Sequence, residues 1–234
     1  GDACETHGTS SKRFMSTELK HLIEERAERL VSKAKLFDTG TRGRVSTIWV
    51  YDRVVAIKAA LDGAPPNMVR NESTYTRAAN ECGVGPTALY YDSEQDVFFR
   101  SFVTGFSFDN WVQYRTQHGP DVRPVLSDIF EQCYALDERG LQRPELSRPH
   151  KDILVKDQKA VIIDFERCSF SEDHTNVLHF TECLLRKRYA SMLGVSGRTK
   201  KKKSLRSQLR SYKKSGRRET FEDVKETVLD WITG

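Results

Sequence analysis

Two stretches decide the reading of this chain: Arg143-Pro144-Glu145-Leu146-Ser147-Arg148-Pro149-His150-Lys151-Asp152 and, shortly after, Val161-Ile162-Ile163-Asp164-Phe165-Glu166. The second places an Asp directly after three β-branched residues, at the end of a buried strand. A carboxylate so placed suits metal binding, and reads equally as a cap that starts the next segment. The first packs two carboxylates, a His and three bases into one loop before Ile153-Leu154-Val155. Asp157-Gln158-Lys159 then turns the chain, so the two apolar runs form a hairpin. A loop rich in functional groups beside a rigid hairpin is a plausible site. His150 reads either as part of that site or as a structural histidine.

Working outward, Val54-Val55-Ala56-Ile57-Lys58 ends an apolar strand in a lysine. A buried ammonium needs a compensating charge, which phosphate or a carboxylate supplies. Glu72, 14 residues on, lies on the only helix between the early strands and is the candidate partner. Glu81 competes with it but falls at the helix end beside Gly83. Each also reads as a solvated surface carboxylate. Upstream, Gly40-Thr41-Arg42-Gly43-Arg44 sits between two strands. Glycines there let backbone N–H groups approach phosphate oxygens, although two glycines also simply make a turn.

The remaining elements follow from periodicity. Residues 1–15 are polar and expected to be disordered. Ser16 or Thr17 would cap a helix with Leu19, Leu22, Ile23, Ala27, Leu30 and Val31 on one face. Strands are expected at 45–51, 54–59, 87–91 and 97–102, and a helix from Met68 to Cys82. Helices are expected at 108–117 and 124–137, with Gly140 ending the second. The chain reads as helical from Asn176, and Thr220 with Asp223 forms a capping-box pattern before Phe221, Val224, Val228 and Trp231. The order is a β-rich part, 16–103, followed by a mostly helical part, 104–234, which suggests two lobes with a cleft.

Composition bounds the function. The 234 residues hold 38 Lys+Arg and 33 Asp+Glu, a net charge of +5. That mean hides a split. Arg198 to Arg218 carries 11 bases and no acid, which leaves 27 bases against 33 acids, or −6, elsewhere. Leu205, Leu209 and Tyr212 recur in this segment at helical spacing. It reads as a docked helix with solvated lysines, or as one whose bases also bind phosphate, RNA for instance. The five cysteines form no C-x-x-C pair, which favours a reducing compartment such as the cytoplasm. No apolar run approaches the ~20 residues of a membrane span. Gly1 to Ser11 lacks the apolar core of a signal peptide. The absent initiator Met suggests a processed or cloned start, with Met15 an internal alternative.

In order, these parts are a Gly-rich hairpin, a strand Lys, a helix Glu, a polar loop with carboxylates, a hairpin and an Asp-Phe. The order resembles the protein-kinase fold. It is similar to the RIO-type atypical kinases, and nearer still to the minimal predicted serine/threonine kinases known mainly from archaea. Glu145-Leu146-Ser147-Arg148-Pro149-His150-Lys151 followed by Ile163-Asp164-Phe165-Glu166-Arg167 carries the likeness, which extends over roughly residues 35 to 185.

The resemblance implies an α+β, two-lobed kinase-like fold and an ATP- and Mg²⁺-dependent phosphotransferase, acting on Ser/Thr of a protein substrate. By it Gly40 and Gly43 line the phosphate-covering loop, Lys58 contacts phosphates and pairs with Glu72, and Asp164 binds Mg²⁺. Arg100 to Gly105 would be the connector that holds the adenine. Glu145 stands where most kinases carry the catalytic Asp. Asp152 is the favoured second metal ligand, since a hard cation prefers acidic oxygen to imidazole. His150 stays as a nucleotide-site candidate. Arg143 replaces the usual His, which puts the loop's usual scaffold in question. Glu166 replaces the Gly after Asp-Phe, and no long activation segment follows. A catalytically weak module binding a partner through the basic segment, or a small-molecule kinase, are the alternatives.

Overall fold

A computed structural model describes residues 7–119, 121–147, 149–195 and 199–232; the side chains of 7–16, Glu145, Ser147 and 199–201 lie outside the described residues. Among these, eight α-helices and ten strands make an α+β protein. Two compact units result. One comprises the chain up to Arg77 with Pro86–Phe102, and the other Ala78–Gly85 with the chain from Val103. The second unit also takes in 78–85, ahead of the first unit's last stretch. There Gly85 lies against the Phe165 ring and Glu81 pairs with Arg139 at 2.7 Å, both contacts inside the second unit.

The first unit begins with α1 (His7–Lys33). It starts well before the expected cap at Ser16 or Thr17, so residues 7–15, expected to be disordered, are drawn as helix. No Gly or Pro falls between Thr9 and Lys33, and the helix kinks at Arg26, which has non-helical φ −120° and ψ 16°. Five strands follow the alternation: β1 (Lys35–Thr39), β2 (Gly43–Val50), β3 (Arg53–Ala60), β4 (Ala88–Asp92) and β5 (Val97–Ser101). They form an antiparallel sheet in the order β1-β2-β3-β5-β4, with α2 (Met68–Glu81) inserted between β3 and β4. Leu19, Ile23 and Ala27 of α1 are buried with Val55, Ile57, Leu89 and Phe99 of the sheet. Met68 and Val69 pack with Ala88 and Phe98 in a second cluster.

The second unit begins with β6 (Phe106–Ser107) and α3 (Phe108–His118), capped by the Ser107 side chain, which accepts from Asn110 N–H. Next comes α4 (Arg123–Arg139), which ends as expected at Gly140 in the left-handed conformation (φ 73°). A two-residue β7 (Leu141–Gln142) leads into a 3₁₀ turn, Pro144–Ser147. The expected hairpin is β8 (Ile153–Lys156) and β9 (Lys159–Ile162), with β6 beside it. Asp157 (φ 51°) and Gln158 (φ 64°) both take positive φ, as a two-residue hairpin loop requires. After β10 (Ser169–Phe170), which pairs with β7, come α5 (Asn176–Leu185), α6 (Lys187–Leu193), α7 (Thr199–Ser215) and α8 (Arg218–Trp231).

The capping box at Thr220 and Asp223 does not form. The helix starts at Arg218, because that side chain reaches back to α4: its guanidinium donates to both oxygens of Glu131 at 2.8 Å and lies over the Tyr134 and Phe221 rings. Thr220 is thereby inside the first turn, and its hydroxyl donates to Arg217 O.

The basic segment is held by its apolar stripe. Leu205 and Tyr212 of α7 are buried, and the Tyr212 hydroxyl donates to Asp137 of α4. Asp137 also accepts from the N–H groups of Asn176 (2.9 Å) and Val177 (3.3 Å), so it caps the positive end of α5. Burial pushes the Asp137 carboxyl above its ordinary value, and those hydrogen bonds oppose the push. Desolvation and the neighbouring carboxylate push the Tyr212 hydroxyl up. Tyr212→Phe removes one donor from a buried acceptor. It should cost about 1–3 kcal/mol of unfolding free energy, read as a lower urea midpoint at unchanged slope.

Candidate functional site

In the first unit, Lys58 lies on β3, the central strand, opposite Val45 of β2 and Phe98 of β5. Its ammonium is 3.5 Å from a carboxylate oxygen of Glu72 on α2, whose side chain is 1% exposed. The strand Lys and helix Glu named from the sequence are therefore neighbours. Glu81 is engaged elsewhere, with Arg139. Such a pair is retained at a desolvation cost, so it fixes one position for the ammonium.

The hairpin above this pair is built around one glycine. Gly43 opens β2, and a Cβ there would lie 2.7 Å from Lys58 Cε and 3.1 Å from Ala59 O. The backbone of β2 thus comes closer to the lysine stem than any side chain would allow. Gly40 differs: a Cβ would meet only Gly43 O, at 3.5 Å. Gly40 N–H donates to Gly43 O at 2.8 Å and closes the turn.

In the second unit, Asp164 follows β9 in the left-handed conformation, φ 67°. That conformation is uncommon for a residue with a Cβ, and such strain gathers at functional positions. Its Oδ1 is buried with no hydrogen-bond partner among the described residues. Asp164 and Glu166 each offer a carboxylate oxygen, and these lie within 4.8 Å of one another. Two hard oxygen donors at this spacing, one of them buried and unsatisfied, fit a divalent cation such as Mg²⁺. Phe165 between them is fully buried, with its ring against Gly85. Glu166 was missed as a candidate ligand in the sequence. The signal was the two-residue step from Asp164, which carries both carboxylates out of one tight turn.

Arg143 sets this geometry. It is 1% exposed. Its Nε donates to Asp164 O at 3.0 Å and its Nη2 to Ile163 O at 3.1 Å. The same Nη2 lies 3.0 Å from Asp152 Oδ2. Its own N–H donates to Asn176 Oδ1 at 2.9 Å, and Asn176 Nδ2 donates to Leu141 O at 2.7 Å. The loop is thus scaffolded by Arg143. Asp152 stands beside this guanidinium as its partner, and its N–H bonds Pro149 O at 2.8 Å.

His150 is drawn toward α3 and α6. Its Nδ1 lies 2.7 Å from the Tyr189 hydroxyl and 4.0 Å from Asp109, while Tyr189 donates to Asp109 at 3.2 Å. Burial pushes the Tyr189 hydroxyl up, and the Asp109 charge adds to the shift. Glu145 belongs to the 3₁₀ turn, which is anchored by Leu146, fully buried with its N–H on Arg143 O at 3.2 Å. The Glu145 side chain lies outside the described residues. A cavity of about 540 Å³, lined by Thr104, Phe106, Trp111, Arg115, Val155 and Lys156 among others, adjoins the end of the expected adenine connector and holds none of these candidates.

Comparison with protein-family models gives no match, and comparison with curated proteins gives none either.

Arg143→Met should destabilise the protein by about 3–5 kcal/mol, since it removes the cation beside Asp152 and strands two buried carbonyls. A urea midpoint within error of the wild type would contradict this role.

Proposed function

We propose that the protein is an ATP- and Mg²⁺-dependent phosphotransferase of the kinase-like kind, acting on a Ser/Thr hydroxyl of a protein substrate. The observation that carries the reading is the buried, unsatisfied carboxylate oxygen of Asp164, within 4.8 Å of Glu166 in a strained turn. The Lys58–Glu72 pair beneath Gly43 supports it from the first unit.

Phosphoryl transfer asks little covalent chemistry of the protein and much positioning and charge neutralisation. In this reading Lys58 binds phosphate oxygens, and Glu72 keeps its ammonium charged and aimed. Gly43 leaves room for the backbone N–H groups of the hairpin to face the phosphates. Asp164 and Glu166 hold the metal, with Asp152 as the further carboxylate and Arg143 as the group that orients it. Mg²⁺ bound there would neutralise phosphate charge as the transfer proceeds. Glu145 accepts or orients the proton of the attacking hydroxyl. His150, tied to Tyr189 and Asp109, positions the loop.

Labelled ATP with Mg²⁺ tests the reading. Wild type should turn over ATP and label itself or an added protein, and Asp164→Ala should reduce this at least 100-fold. Equal turnover in both would overturn it. The two glycines sharpen the test: Gly43→Ala should weaken ATP binding by displacing Lys58, while Gly40→Ala should leave it within about twofold.

A further inference from the structure

The helix α7 divides into three sectors at 100° per residue. Leu205, Gln208, Leu209 and Tyr212 form the docked face, and all are buried or half-buried. Ser204, Ser207 and Ser211 form a second sector and are exposed. Lys202, Lys203, Arg206, Arg210, Lys213 and Lys214 fall within an arc of about 120° and span about 18 Å of helix axis. All six are exposed.

None of the six pairs with an acid among the described residues, and α7 holds no acid of its own. Lys202–Arg206, Arg206–Arg210 and Arg210–Lys214 are like-charge pairs at i,i+4, which destabilise a helix. The adjoining α8 is the contrast: Arg218 and Lys225 are both neutralised by Glu131 and Glu222. So the fold supplies counter-charges to one helix and leaves its neighbour with a concentrated, self-repelling face.

We propose that this face of α7 binds the phosphate backbone of duplex nucleic acid without reading its sequence. A duplex strand carries one phosphate per 3.4 Å of axis, so an 18 Å face meets about five. The flanking Ser204, Ser207 and Ser211 add hydroxyl donors of the kind that contact phosphate oxygens. No aromatic side chain lies in the basic sector, so stacking on single-stranded bases has no platform there. The apolar stripe that a membrane-surface helix would insert is occupied by docking on the protein.

The test is fluorescence anisotropy with a labelled random-sequence RNA duplex of 20 base pairs, and its DNA counterpart, over a range of salt. The 234-residue chain should bind at least one duplex, with log K falling against log salt at a slope of about −4. The variant Lys202→Gln/Arg206→Gln/Arg210→Gln/Lys213→Gln keeps Leu205 and Tyr212. It should lose at least 30-fold in affinity at 0.1 M salt and most of the slope, with a melting temperature equal to or above the wild type. ATP turnover should not change, so this result is read separately from the kinase assay. An unaltered affinity or slope in the variant overturns the proposal. So does wild-type protein that ignores both duplexes, whether or not it binds polyglutamate or phosphatidylserine vesicles.

Discussion

The second unit is arranged around one buried cation. Taking the Arg143 guanidinium out of water is costly, and only well-placed acceptors offset the cost. It finds them at Ile163 O, Asp164 O and the Asp152 carboxylate. Because a guanidinium is planar and rigid, satisfying it fixes those three groups relative to one another. The end of β9 and the start of β8 are thereby locked, and Asp164 is held in a backbone conformation that it would not choose alone. The same residue's N–H engages Asn176, which stands beside Asp137, the partner of Tyr212. A continuous buried polar path therefore runs from the candidate metal carboxylates to the basic helix. Its two buried atoms without a hydrogen-bond partner among the described residues, Arg143 Nη1 and Asp164 Oδ1, both lie at the end of the path that holds the candidate metal carboxylates.

Much of this was legible in the sequence, for identifiable reasons. The alternation in 45–59 and 97–102 gave the strands, since a half-buried sheet imposes a period of two. Gly140 marked the end of α4 because a left-handed cap favours glycine. Lys58 and Glu72 were paired on paper by the charge a buried ammonium demands, and they lie 3.5 Å apart. What escaped depends on partners far along the chain. Arg143 was seen as a missing His, because nothing local announces that its guanidinium meets residues 20 positions away. Tyr212 was visible as an apolar contact, but its hydroxyl's partner lies 75 residues upstream. The start of α8 was misplaced because Arg218 is held by Glu131, and local capping patterns carry no record of that contact. Strands β7 and β10 are too short to show any period.

Charge is distributed with the same economy. At Lys58, Arg143 and Lys225, each buried or half-buried, an acid stands within 4 Å. The α7 bases alone are massed, exposed and without such partners among the described residues. The net charge of +5 thus combines two different uses of charge, one internal and compensated, the other outward-facing. No helix among the described residues is long and apolar enough to cross a membrane.

The central proposal is that the protein binds ATP together with Mg²⁺. Calorimetric titration of ATP, with and without Mg²⁺, tests it most directly. The account predicts binding that requires Mg²⁺ and weakens at least tenfold in both Lys58→Met and Asp164→Asn, with each variant still folded by its urea transition. Binding indifferent to Mg²⁺, or unchanged in either variant, would contradict it.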